Sequence, residues 1–383
     1  MAQEWSDKYN PFNSDKLLAH VDRWKQIKRG QPIPPPTTVS IDPINLCDLR
    51  CIFCNADFVI DENKGSRLEE DVMQAIPNFL AGWNDGVYGV RSVCVGGGGE
   101  PLLNKHVGTL MDRLIERGIG VGIVTDGTQI HRYLESLSRN TFVSVSVDTD
   151  NKDTYKRMKE KDKFDQVIEN IRALVDYSRT HKSLLADRNA SPGIAYNFLL
   201  HPYNVKEVIG ATRLAKEIGC DNIHIRPVCV PWFELDKGES PHTFKPEHVE
   251  KFNRQIAEAM KLEDERFKVY GVTHKYNPDF SITHHFESCY AIFMNGVIMP
   301  PSDRNKGNGK LDWGTCCDRR GDDLVTVKNL TALEQIKEFW GSDRHWKIHD
   351  DIKVKYCPRC TFEPHNRIQE NVVLRNGMNY DFI

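Results

Sequence analysis

The stretch Cys47-Asp48-Leu49-Arg50-Cys51-Ile52-Phe53-Cys54 sets three cysteines in a C-x3-C-x2-C spacing. Just upstream, Thr38 to Asp42 reads as a short strand, so the cysteines fall on the loop at that strand's C-terminal end. Three thiolates on one tight loop can hold three irons of a [4Fe–4S] cube and leave the fourth iron open for a bidentate ligand. Zinc normally takes four ligands in paired C-x2-C units, and no fourth Cys or His lies close by in sequence. Three incidental buried cysteines, or a zinc loop, are the bland readings of the same residues.

On the N-terminal side, a helical leader from Ser14 to Arg29 runs into the proline-rich link Pro32 to Pro36, where proline blocks helix continuation. On the C-terminal side the pattern alternates. Helices are predicted over Leu68 to Asn84, with Val72, Ile76, Phe79 and Leu80 on one face, then His106 to Arg117, His131 to Ser138, Phe164 to Tyr177 and Val205 to Ile218. Between them fall apolar strands over Ser92 to Val95, Val121 to Val124, Phe142 to Val147, Ile194 to Leu200 and Asn222 to Pro227. About six strands alternating with helices predict an α/β fold, a partial (β/α)6 TIM-like barrel with a parallel sheet and helices outside. Function in such sheets gathers at the C-terminal ends of the strands. Past Pro231 the pattern changes to one helix within His242 to Leu262 and then a short, turn-rich region holding five cysteines. The expected division is a leader over 1–37, the barrel over 38–230, a connecting segment over 231–285, a small iron–sulfur domain over 286–370 and a tail over 371–383.

Of 383 residues, 39% are hydrophobic and 27% charged, and the net charge of -3 gives no basic field for a nucleic-acid partner. No apolar run approaches the ~20 residues of a membrane span, and MAQEWSDKYNPF lacks a basic-then-apolar signal layout, so a cytoplasmic protein is expected. Eleven cysteines in a reducing compartment point to metal or redox chemistry rather than disulfides.

Gly96-Gly97-Gly98-Gly99-Glu100-Pro101 follows the second predicted strand, where glycine lets backbone approach a ligand closely. This run and the cysteine spacing, with Phe53 before the third cysteine, resemble the radical S-adenosylmethionine (SAM) superfamily over residues 38–230. The resemblance implies that Cys47, Cys51 and Cys54 bind a [4Fe–4S] cluster whose open iron is chelated by SAM. It also implies that Gly98, Gly99 and Glu100 serve the amino group of SAM. Thr125, in T-D-G where many relatives have T-N-G, and Ser146 and Asp148, in S-V-D-T, would serve its ribose or carboxylate. Phe53, Asn197 on the fifth strand and Arg226 on the sixth complete the implied cofactor set. The arginine suits a carboxylate by its fork, with a salt bridge inside the barrel as the alternative.

In the C-terminal region Cys289, Cys316, Cys317 and the pair in Cys357-Pro358-Arg359-Cys360 are similar to the twitch form of the SPASM extension in that superfamily: one cysteine, a hairpin, a second cysteine, a helix (Leu330 to Trp340), then C-x2-C. The resemblance implies one auxiliary [4Fe–4S] cluster on four thiolates, with Cys316 or Cys317 as the second ligand and a structural zinc as the alternative. The separation of Cys289 from Cys316 is longer than that layout leads one to expect. Cys94 and Cys220 read as core residues. Cys229, in R-P-V-C-V-P-W after the sixth strand, is a candidate hydrogen-atom donor, and His274, His284 and His285 are candidates for substrate contact, or ordinary loop histidines.

The resemblance then implies an oxidoreductase-type enzyme. A flavodoxin- or ferredoxin-type donor supplies one electron, SAM is cleaved to a 5′-deoxyadenosyl radical, and a hydrogen atom is taken from a small-molecule substrate. A fully protein-ligated auxiliary cluster favours oxidation or dehydrogenation; epimerisation or deoxygenation of a carbohydrate, cyclitol or amino-sugar also fits. A peptide-modifying maturase is the second reading, disfavoured by a leader of under forty residues, and a non-catalytic iron–sulfur or zinc redox sensor is the third.

Overall fold

Ten strands build one sheet: β1 (Thr38–Ile41), β2 (Ser92–Val95), β3 (Gly120–Thr125), β4 (Phe142–Ser146), β5 (Gly193–Leu200), β6 (Asn222–Pro227), β7 (Lys268–Gly271), β8 (Asn295–Met299), β9 (Leu311–Gly314) and β10 (Thr326–Leu330). The computed structural model describes residues 14–228, 230–237, 240–273, 276–302, 308–357 and 360–374; Cys229 and His274 therefore lie outside the described residues. The strand order is β10-β9-β8-β1-β2-β3-β4-β5-β6-β7. From β1 to β7 every neighbour is parallel, so each connection is a crossover. The crossover helix Glu70–Ala81 buries Val72, Met73, Ile76, Phe79 and Leu80. The helix Phe164–Thr180 does the same with Val167, Ile168, Ile171, Leu174 and Val175. Both follow the three-to-four-residue spacing of an apolar stripe, and each such side chain stabilises by about 1.5–3 kcal/mol when fully buried.

The parallel α/β partial barrel is the one the alternation predicts, with two parallel strands more, β7 beside β6 and β8 beside β1. β7 falls inside the stretch read as a connection, because Lys268-Val-Tyr-Gly271 is short and has no clear alternation of its own; its register against β6 makes it a strand.

The C-terminal region continues the same sheet. β8 pairs in parallel with the free edge of β1, Thr38 opposite Asn295, and β9 and β10 follow antiparallel. Trp83 seals this junction against Trp313 and Trp340, with ring centroids 6.0 and 5.4 Å away. A side chain at Gly296 would meet the Trp313 ring, since its Cβ would stand 2.0 Å from a ring atom. The leader forms a 3-10 turn over Ser14–His20 and a single α turn over Val21–Trp24, shorter than the predicted helix. Among the described residues no helix is long and apolar enough to cross a membrane.

Candidate active site

The cysteine loop leaves β1 and is gripped from three sides. Asn45 N–H donates to Ser66 (2.7 Å), Arg50 and Ile52 N–H donate to Lys159 and Met158 (both 3.0 Å), and Glu100 N–H donates to Leu46 (2.8 Å). The helix Lys152–Lys159, which the sequence reading left out, thus backs the loop with its last turn. Phe53 is buried under it, 5.3 Å from the Lys159 ammonium. Burial pushes the Cys51 thiol up to about 12, partly offset by the charge of Lys159, and raises Cys47 and Cys54 as well. Such thiols do not ionise unaided; a bound metal would supply the positive charge that makes them thiolates.

The glycine run brings this loop against the barrel. Gly96 and Gly97 have φ of +132° and +119°. A Cβ on Gly97 would stand 2.1 Å from the Arg320 guanidinium, and one on Gly99 would stand 2.5 Å from the carbonyl oxygens of both Ile44 and Leu46. Gly98 faces Asp42 and Asn45 at 2.9–3.0 Å from the same imagined atom. Glu100 Oε1 accepts from Thr125 Oγ1 (2.7 Å) and Leu102 N–H (3.0 Å), and Oε2 accepts from Asp126 N–H (2.7 Å). Burial holds its carboxyl up at about 7 against these bonds. Its carboxylate and Thr125 thus clamp the ends of β2 and β3 together beneath the cysteine loop. Asp126, in place of the asparagine of T-N-G, takes the Cys47 thiol at 3.7 Å and shares a hydrogen bond with Asp48; burial and these acids push its carboxyl well up. Gly99→Ala is expected to cost about 1–3 kcal/mol or more, because backbone oxygens cannot swing aside as a side chain can. Thermal unfolding and iron content of the purified variant check this; wild-type values for both would show that the loop gives way.

The remaining cofactor-side candidates line the C-terminal ends of the middle strands. Ser146 stands opposite Asn197, and Arg226 opposite Leu199. Asn197 Oδ1 is a buried acceptor with no hydrogen-bond partner among the described residues, as a barrel mouth built to receive a donor would have. Asp148, at φ +70°, is fully buried and committed: it pairs with the Lys159 ammonium and accepts Leu199 N–H at 2.6 Å.

The second cysteine group gathers at the other side of the sheet junction. Asn366, fully buried, donates to the sulfurs of both Cys289 and Cys360 (3.8 Å each) while its Oδ1 accepts Ala291 N–H at 2.7 Å. Arg319 Nη1 reaches Cys357 Sγ at 3.9 Å. Cys316 interacts electrostatically with Cys317, Cys289 and Cys360, and Cys289 with Cys357, so these thiols lie near one another. The Cys317 carbonyl accepts from Arg320. Among the described residues no three cysteine sulfurs lie within 4.8 Å of one another. Cys94 is half-buried on β2, its thiol pushed up to about 11 by burial, and Cys220 is buried in the core.

Between the two groups lies a cavity of about 1130 Å³. Phe58 and Val228 border it on the side of the first cysteine loop, and Arg319 and Cys357 on the side of the second. His284 lines it and bonds the Cys357 carbonyl at 3.3 Å; His285 is exposed and outside the lining.

Residues 41–186 match the family described as the Radical SAM superfamily. The chain carries a radical SAM domain. That domain takes a [4Fe–4S] cluster and SAM, which the thiols of the gripped cysteine loop and the barrel mouth would hold. Curated relatives include "Probable GTP 3',8-cyclase" of Methanocaldococcus jannaschii, 24% identical over 185 residues, 48% of this chain and 56% of that protein. "GTP 3',8-cyclase" of Petrotoga mobilis is 29% identical over 136 residues, 34% of this chain and 40% of that one. The chain spans about half the length of the curated relatives it matches. Among solved structures, Streptococcus suis SuiB bound to precursor peptide SuiA aligns with a TM-score of 0.57 at 15% identity, over 88% of this chain and 70% of that one. Native anSMEcpe with bound AdoMet and Cp18Cys peptide gives 0.56 at 16%, over 85% and 88%. Both are likenesses of fold, and both extend beyond the radical SAM domain into the region of the second cysteine group.

Around the radical SAM domain, four residues that sequence reasoning passed over turn out to hold the site: Asp42, Lys159, Arg320 and Asn366. Arg320 makes a buried, two-pronged bond to Asp42, Nε to Oδ2 at 2.6 Å and Nη2 to Oδ1 at 3.2 Å. The acid directly after β1 and the Arg319-Arg320 pair that follows Cys316-Cys317-Asp318 were the available signals.

Proposed function

We propose that this chain is a radical SAM enzyme that abstracts a hydrogen atom from a small molecule and oxidises or epimerises it, with an auxiliary [4Fe–4S] cluster on Cys289, Cys316, Cys357 and Cys360. The observation that carries the reading is the cavity bordered by Cys357 and Arg319, which shares His242 and Phe233 with a smaller cavity lined by Cys51 and Cys54. When bound, the first cluster and SAM supply the 5′-deoxyadenosyl radical. The chain's own residues bind and orient the substrate and keep water from it: aromatic walls on Phe58, Trp232, Phe233, Phe244 and Phe280, with Arg319, Asp279 and His242 as polar groups. A substrate held there lies within reach of both clusters, which suits removal of a second electron by the auxiliary one. A flavodoxin- or ferredoxin-type protein is the proposed electron donor, and Cys229 the proposed hydrogen-atom donor for the epimerisation variant.

A peptide substrate is the second reading, favoured by fold neighbours whose structures hold peptides. The volume accepts a side chain and its flanking backbone as readily as a small ring. The test is anaerobic reconstitution of the wild type and of a Cys47/Cys51/Cys54→Ala triple variant. About eight irons falling to about four is expected, with 5′-deoxyadenosine made from SAM and dithionite by the wild type only. Absence of 5′-deoxyadenosine from a loaded wild type supplied with small-molecule and peptide candidates would sink the reading.

A further inference from the structure

One polar group in the large cavity is buried, oriented and uncommitted. His242 is 4% exposed. It borders both the large cavity and a smaller one of about 280 Å³ lined by Cys51 and Cys54, so it stands where the cluster side and the substrate side meet. Its proton position is dictated from behind. Tyr203 N–H donates to His201 Nδ1 at 3.1 Å, so the neutral His201 ring carries its proton on Nε2. His201 Nε2 lies 3.1 Å from His242 Nδ1 and donates to it, which leaves the His242 proton on Nε2. Burial lowers both rings from the ordinary histidine value, His201 to about 3, helped by Arg157, with only Glu234 opposing at His242. Both are therefore neutral at pH 7. Among the described residues, the His242 side chain has its one hydrogen bond through Nδ1.

We propose that His242 Nε2–H is a fixed donor that anchors an oxygen of the substrate, and that this substrate is a small polyhydroxylated ring. The assignment rests on the cavity being the substrate site. Phe244 and Phe280, packed edge to face with ring centroids 5.1 Å apart, and Phe58 and Trp232, likewise at 5.9 Å, give the cavity aromatic faces and edges against which the C–H surfaces of such a molecule can pack. His242 supplies the directional contact those faces lack. His201 does not line the cavity and acts as a positioning residue through His242.

The experiment uses the full chain, reconstituted without oxygen, titrated by saturation-transfer NMR with D-glucosamine, myo-inositol and cyclohexylamine. The two hydroxylated rings are expected to bind at least about tenfold more tightly than cyclohexylamine. His242→Phe should weaken them at least about tenfold, while His242→Gln, which keeps an N–H donor, stays within about threefold of wild type. His201→Phe should weaken binding too, and adding it to His242→Phe should cause no further loss, because both remove one contact. Wild-type binding by His242→Phe, or additive losses in the double variant, would overturn the anchoring role. Failure of both hydroxylated rings to bind wild type would overturn the substrate class. Formation of 5′-deoxyadenosine by the same wild-type batch reports separately on the radical chemistry beneath it.

Discussion

Arg320→Met will lower stability by about 3–5 kcal/mol, the usual loss when one partner of a buried ion pair is removed and the other stays. Arg320 and Asp42 are 9% and 1% exposed, and the guanidinium also holds the Cys317 carbonyl and lies against Gly97. Trp232 Nε1–H donates to the Arg320 carbonyl at 3.1 Å, so one residue ties the end of β1, the glycine run, the second cysteine group and the cavity wall. The loss has a pH signature. Burial already raises the Asp42 carboxyl, and Arg320 pulls it back down. Without Arg320 burial is opposed only by the Gly98 N–H, and the folded-state value rises further. A carboxyl raised above its unfolded value contributes stability that is full below the unfolded value, about 3.9, and is lost as pH rises through the folded value. The deficit of Arg320→Met should therefore widen from pH 5 to pH 8. Asp42→Asn combined with Arg320→Met should recover most of it and flatten the dependence, because no buried charge is left unpaired. Denaturant unfolding under nitrogen across that range checks both; a deficit under about 1 kcal/mol, or one independent of pH, would mean that water reaches Asp42.

Cys316→Ala is expected to drop the iron content from about eight to about four per chain, while Cys317→Ala keeps about eight. The adjacent cysteines are chemically identical. Cys316 interacts electrostatically with both Cys289 and Cys360, on the side where Asn366 donates to both of those sulfurs. Those N–H donors favour the ionised sulfurs and so support a cluster there. Electron paramagnetic resonance of the reduced proteins should show one cluster signal in Cys316→Ala and two in Cys317→Ala. The reverse pattern would reassign the ligand, and full iron in both variants would show that either cysteine serves.

The first cysteine loop was legible because its information is local: three thiols in eight residues, placed after a strand, admit few coordination chemistries. Alternating apolar runs were legible for the same reason, since helical and extended periods repeat within a few residues. The glycine run was legible as a place of close approach, yet what approaches was not. Gly99 meets the backbone of residues 44 and 46, and Gly97 meets a guanidinium that lies more than two hundred positions along the chain. β7 escaped notice because a short strand with a charged first residue takes its identity from the neighbour it pairs with.

Spacing and composition by themselves determined the parallel α/β architecture and where the two groups of thiols fall along the chain. The tertiary structure alone decided that β8 closes onto β1, that Arg320 pairs with Asp42 across 278 residues, and which nitrogen of His242 carries its proton. The reason is the range of the forces involved. Ligand geometry and strand period act over a few bonds and are written in neighbouring residues. Burial, ion pairing and tautomer choice depend on what the folded chain places within a few ångströms, whatever its distance in sequence.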